Sequence, residues 1–293
     1  MKFRTEISLR KPPFNLTPET PALLLGSCFA ANIGAKMNGA WSAPVAVNPC
    51  GVLYNPTSIG ILVHFALMHR TQRRAILESS LTTREGRWVS WFMDSKTSGA
   101  TEEECVEKAM ENLDLLEKVL EESEVMAVTF GTSWVWMLGH TDRAVGNCHK
   151  HPQSEFVRTR LQISHIYDLW QNLITLIRER NPKMKFIFTV SPVRYLSDGF
   201  DENSRLKAVL LLACEQLSKS LKSVDYFPAY EIINDDLRDY RFYADDLKHP
   251  SSQAVDYVWE KFCEYYLTKK DREVVAENLK KAASLRHRPI ISL

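Results

Sequence analysis

Two short runs of this sequence hold residue types that together perform acyl-transfer chemistry. The first, Pro21-Ala-Leu-Leu-Leu-Gly-Ser-Cys-Phe-Ala30, reads as a buried apolar strand that ends at Gly26, with small residues opening a helix behind it. Ser27, on that strand-to-helix turn, is a candidate nucleophile. Its backbone N–H lies where the unpaired donors of a helix N-terminus favour an anion. The second run, Asp246-Leu-Lys-His249, stands near the other end of the chain. On a helical turn this i, i+3 offset brings the two side chains together. Asp246 then orients the imidazole of His249 through Nδ1 and leaves Nε2 to take the serine proton.

Such groups need a scaffold that returns distant segments to one place. Strand-like and helix-like segments alternate along the chain, which is the pattern of a parallel sheet covered on both faces. Strands are expected in the first run and at residues 43–47, 125–130, 185–190 and 224–233, and helices near residues 30–37, 57–69, 101–122, 156–180, 203–221 and 251–267. Residues 80–96, which include Trp88, Trp91 and Phe92, read as a small inserted hairpin. The stretch 134–154 reads as a long irregular loop, a kind of segment that often carries function. The organisation expected is one α/β domain over residues 1–293, with its core at about 20–268 and a helical tail at 271–293. The loops of interest follow the carboxyl ends of strands, where open α/β sheets bind ligands.

Composition narrows the partners. Thirty-seven basic residues against 36 acidic ones give a net charge of +1, so no basic excess is present to neutralise phosphates and nucleic acid is a poor partner. The N-terminal run Met1-Lys-Phe-Arg-Thr-Glu-Ile-Ser-Leu-Arg10 interrupts with charge the apolar core that a signal peptide needs. No segment reaches bilayer-spanning length, and a soluble cytoplasmic protein without membrane attachment is the expectation. Six cysteines at 28, 50, 105, 148, 214 and 263 form no framework, which points to free thiols. His140, Cys148, His149 and His151 cluster in one loop, yet their spacing matches no common zinc pattern. Neither a metal nor a cofactor is expected.

The five residues Gly26-Ser27-Cys28-Phe29-Ala30, placed at the end of the first strand, resemble the signature of the GSCFA family. That family is similar to the SGNH (GDSL-type) hydrolases. The resemblance implies a three-layer α/β/α sandwich with a mostly parallel, flavodoxin-like sheet and cleavage of esters of lipids, sugars or small acyl groups. It also implies Ser27 as nucleophile, although the usual Gly-Asp-Ser becomes Gly-Ser-Cys with the serine one step earlier. An oxyanion-hole glycine falls on Gly51, and the Asp-x-x-His ending falls on Asp246 and His249. The asparagine that usually completes the oxyanion hole is missing from Gly131-Thr132-Ser133, and Asn147 either brings that amide from the long loop or is simply part of a Gly146-Asn147 turn.

Each of these residues has a plainer reading as well. Cys28 is either a competing nucleophile or a small packed hydrophobe. Arg194, at a strand's carboxyl end, binds a substrate carboxylate or makes a surface salt bridge. His149 and Trp134 touch substrate or serve loop packing. The reaction expected is hydrolysis of a small acyl ester, such as an acylated sugar, through an acyl-enzyme. The rivals are an acyltransferase with the same triad and a hydrolase-fold binding module without turnover. Oligomeric state is not legible.

Overall fold

The computed structural model describes residues 4–139, 141 and 143–286. In chain order its elements are β1 (Ala22–Gly26), α1 (Cys28–Ala40), β2 (Val45–Val47), α2 (Pro56–Leu67), α3 (Arg70–Glu78), β3 (Leu81–Arg84), β4 (Arg87–Ser90), α4 (Glu102–Glu122), β5 (Val125–Phe130), β6 (Trp134–Leu138), β7 (Ala144–Val145), β8 (Phe156–Arg160), α5 (Ile163–Arg180), β9 (Lys185–Val190), α6 (Gly199–Ser220), β10 (Val224–Tyr226), α7 (Ala229–Glu231), α8 (Ser252–Tyr266) and α9 (Lys269–Arg286). Five strands form one sheet in the order β2-β1-β5-β9-β10, and every neighbouring pair is parallel. Counting only these five, the order is 2-1-3-4-5, that of a flavodoxin-like doubly wound sheet.

All five residues of β1 are buried, because the sheet has a packed layer on each face. Leu23 and Leu25 point into a core shared with α2, α4, α5 and α6, where Trp170, Leu113 and Leu210 are fully enclosed. Ala22 and Leu24 face the opposite layer, built on Phe29 and Met37 of α1 and Val258 and Phe262 of α8. Burial on both faces explains why the strand reads as an unbroken apolar run. Each such leucine contributes roughly 1.5–3 kcal/mol. The C-terminal helix α9 lies against α1, with Val275 buried and Asn278 Nδ2 donating to the Ala40 carbonyl at 2.9 Å.

The hairpin β3–β4 forms where expected, turning on Glu85 and Gly86, both at positive φ. Three expectations are corrected. Residues 156–180 are not one helix: Phe156–Arg160 is a strand, with Phe156 buried and the β-branched Val157 exposed. The stretch 134–154 is not irregular throughout, because β6 and β7 lie in it and form, with β8, a separate antiparallel sheet in the order β7-β6-β8. The final strand stops at Tyr226, since Pro228 follows and the chain turns into α7 and a wide helical turn over Ile232–Leu237. No helix of the described residues is long and apolar enough to cross a membrane.

The end of β1 fixes what comes after it. Gly26 adopts φ +123° and packs so closely on the Thr129 carbonyl that a Cβ would overlap its oxygen. Its N–H is held by Asn48 Oδ1 at 2.8 Å. Gly26→Ala is therefore expected to lower the unfolding free energy by more than about 2 kcal/mol in urea denaturation; a loss below about 0.5 kcal/mol would contradict this packing.

Candidate active site

Ser27 is the N-cap of α1. Its Oγ accepts the Phe29 N–H at 3.3 Å, its backbone is extended at φ −68° and ψ 172°, and the residue is 1% exposed. Serine suits the position because its oxygen satisfies a donor that the helix leaves free. The first turn of α1 carries no acidic residue, so the positive end of the dipole remains unneutralised. The cap uses a lone pair of Oγ and leaves the hydroxyl proton available.

The Asp246–His249 pair forms, but on a turn of a different kind from the helical one expected. Leu247 takes a left-handed φ of 57°, and Asp246 Oδ1 accepts the N–H groups of Lys248 and His249, both at 2.9 Å. Asp246 Oδ2 then stands 2.5 Å from His249 Nδ1. The His249 backbone N–H, the ring contact and the Lys248 N–H together hold the Asp246 carboxyl well below the usual carboxylate range. The carboxylate thus stays ionised at neutral pH. Nδ1–H donates to it, and Nε2 is the nitrogen left for proton transfer.

Ser27 and His249 line one cavity of about 370 Å³ at the carboxyl ends of the strands, together with Cys28, Trp134, Asn147 and Arg194. It sits where the sheet order reverses between β1 and β5, the usual ligand crevice of doubly wound sheets. Among the described residues no hydrogen bond joins Ser27 Oγ to the ring. The strand-end loops are stitched to one another: Gly131 and Thr132 donate to the Tyr54 carbonyl at 2.7 and 3.1 Å, and Arg194 N–H donates to the Lys248 carbonyl at 3.2 Å.

The two backbone donors expected for an oxyanion are occupied elsewhere. Ser27 N–H points to the Thr129 carbonyl at 3.2 Å and Gly51 N–H to the Asn48 carbonyl at 2.9 Å; Gly51, at φ +89°, lies off the cavity wall. Asn147 is on the wall, with Oδ1 accepting the His149 N–H at 2.8 Å and Nδ2 donating to Ser95 Oγ at 3.3 Å. Cys28 N–H, at the first position of α1, has no carbonyl acceptor among the described residues.

His149 does not reach the cavity. It is 2% exposed, its Nε2 lies 2.8 Å from the Ser90 carbonyl and its Nδ1 3.0 Å from Ser95 Oγ. The carbonyl requires the proton on Nε2, so Nδ1 accepts from the serine. Burial lowers the ring's pKa. It pins the long loop to the hairpin, as does His151, whose Nε2 lies 3.0 Å from the Thr83 carbonyl. His140 falls outside the described residues. Among those described, no group of three His, Cys, Asp or Glu side chains is arranged to hold a metal.

Trp134 is on the wall and carries the Arg158 guanidinium 4.2 Å from its ring centroid, while Asp198 binds that guanidinium at 2.7 and 3.0 Å. Cys28 is half-buried beside Ser27, and burial pushes its thiol up, opposed by N–H groups of the helix end and by the charge of Lys207.

Lys207 escaped the sequence reading. This residue of α6 is 1% exposed, and its ammonium donates to the Gly131 carbonyl at 2.6 Å and the Ser191 carbonyl at 2.7 Å, tying the ends of β5 and β9 together beneath the cavity. Burial pulls its pKa down to about 7, against the attraction of Cys28. The signal was present: Asn203, Leu206, Lys207, Leu210, Ala213, Cys214 and Leu217 form the buried stripe of α6, so a lysine occupies an apolar position.

A model of the GSCFA family matches residues 21–262. Among curated proteins none matches the chain. Among solved structures, one similar chain is a carbohydrate esterase family 3 from Talaromyces cellulolyticus, at 8% identity and a TM-score of 0.37 over 87% of this chain and 98% of that one. Another is a Clostridium thermocellum family 3 carbohydrate esterase, at 11% identity and a TM-score of 0.36 over 88% and 98%.

Lys207→Met keeps the volume of the side chain and leaves the buried Ser191 carbonyl and the part-buried Gly131 carbonyl without this donor. It is expected to destabilise the fold by about 2–4 kcal/mol in chemical denaturation. Unchanged stability would mean that the strand ends do not depend on the ammonium.

Proposed function

We propose that this chain, which belongs to the GSCFA family, is a serine-dependent acyl-ester hydrolase. The observation that carries the reading is the Asp246–His249 pair, closed at 2.5 Å, on the wall of the cavity that Ser27 also lines. Ser27 Oγ attacks the ester carbonyl and passes its proton to His249 Nε2, and Asp246 stabilises the imidazolium that results. The Phe29 N–H that caps Oγ and the N-terminus of α1 favour the alkoxide character that develops. Negative charge on the carbonyl oxygen is stabilised by the Cys28 N–H and by the one Asn147 Nδ2 hydrogen that Ser95 does not take, in place of the two backbone donors that are engaged elsewhere. Collapse expels the alcohol, protonated by His249. Water, activated by the same imidazole, then releases the acid and restores the serine.

The cavity volume lies at the small end of ligand pockets, which favours short acyl esters over long lipids. An acylated sugar fits this reading through Trp134 and Trp136 on the wall, each of which gives one ring face to the Arg158 guanidinium. Replacement of water by a second alcohol would make the same site an acyltransferase.

One observation favours a second nucleophile. Cys28 is partly exposed on the wall whereas Ser27 is almost wholly covered. Its raised pKa means that the thiol, too, needs His249 as base.

A fluorophosphonate probe separates the readings. Wild type is expected to be labelled on Ser27, and Ser27→Ala to lose both the label and at least about a thousandfold in kcat/KM for 4-nitrophenyl acetate, while Cys28→Ala retains the label. Activity that survives Ser27→Ala and disappears in Cys28→Ala assigns the thiol. Absence of labelling and turnover in folded wild-type protein defeats the hydrolase reading.

Dependence on pH follows from the ionised state of Asp246. Activity is expected to rise with pH through the range in which a histidine loses its proton, and not through the range of a carboxylate. Undiminished kcat/KM at about pH 4 would exclude His249 as the base.

A further inference from the structure

We propose that Arg194 makes the cavity selective for esters that carry a carboxylate, an inference that rests on the acyl-ester hydrolase reading above. Arg194 is on the cavity wall with Ser27 and His249, and its N–H donates to the Lys248 carbonyl, one residue before the histidine. Its position is therefore coupled to that of the base. The guanidinium is held from behind by aromatic faces, 4.3 Å from the centroid of Tyr243 and 5.1 Å from that of Tyr240.

What this cation lacks is an anion. Nη1 is buried and has no hydrogen-bond partner among the described residues. None of the ion pairs among those residues includes Arg194, whereas Arg158 and Arg160 nearby are matched by Asp198 and Glu202. A buried donor without an acceptor is costly, and the oxygen of a bound ligand removes that cost. The planar fork of a guanidinium suits a carboxylate, and the Asp94 carboxylate on the same wall, itself in no ion pair among the described residues, disfavours anything more negative than a monoanion. The Tyr243 hydroxyl lies beside the guanidinium as well, and Nη1 is the donor left for this contact.

Two pairs of near-isosteric esters test the proposal at neutral pH. The pair 4-acetoxybenzoate and 4-acetoxybenzamide places the charge on the leaving alcohol, and the pair 4-nitrophenyl hydrogen adipate and 4-nitrophenyl methyl adipate places it on the acyl side. In at least one pair, wild type is expected to show kcat/KM at least about tenfold higher for the anion. Arg194→Gln brings that ratio close to one, and Arg194→Lys retains part of it. A ratio near one in wild type for both pairs, or a preference that persists in Arg194→Gln, overturns the proposal and leaves the hydrolase reading intact, because the neutral ester still turns over. If no ester turns over, the hydrolase reading fails and calorimetric titration with 4-acetoxybenzoate decides the role of Arg194 by itself. Binding about tenfold or more weaker in Arg194→Gln supports it; equal binding, or none to wild type, overturns it.

Discussion

Five strands that all run in the same direction impose one constraint on everything else here: each connection must cross the sheet, and every strand must deliver its carboxyl end to the same edge. Ser27 follows β1, Gly131 follows β5 and Ser191 follows β9, so residues far apart in sequence arrive at one edge without any long-range design beyond strand pairing. The loop of His249 reaches the same place because Tyr243 and Pro250 bridge across its base and Arg194 N–H binds its Lys248 carbonyl.

Convergence of strand ends has a physical consequence at the edge, where carbonyls no longer needed for pairing must be satisfied. Lys207 meets two of them from below with a buried ammonium. Backbone groups meet others, and this is why the N–H groups of Ser27 and Gly51 are engaged with Thr129 and Asn48. Donors left over for a substrate are few: the first N–H of α1 and one hydrogen of the Asn147 amide, whose other hydrogen goes to Ser95 Oγ. The site is thus built on the unneutralised N-terminus of a helix more than on loop amides, and Ser27 serves as cap and candidate nucleophile with different parts of one hydroxyl.

Much of this was legible in the sequence because it follows from local rules. Unbroken apolar runs such as Leu23-Leu24-Leu25 mark strands buried on both faces, Asn55-Pro56 marks a helix start, and Glu85-Gly86 marks a hairpin turn. Asp-x-x-His carried its own geometry, though a left-handed Leu247 and two backbone N–H groups close it instead of a helical turn. What failed was set by tertiary pairing. Phe156–Arg160 reads as part of a helix until β6 is beside it, and the donors of Ser27 and Gly51 look free until their acceptors are in place. Sequence leaves His149 open between substrate contact and loop packing, because residue type is visible there while burial against Ser90 is not.

The central claim is that Ser27 and His249 act as one unit on the walls of one cavity, and a double-mutant cycle on ester hydrolysis tests it most directly. Ser27→Ala, His249→Ala and the double variant are compared by kcat/KM. The account predicts that the double variant is no slower than the slower single variant, since removal of either partner disables the unit. Losses that simply multiply would show that the two side chains act independently and would contradict it.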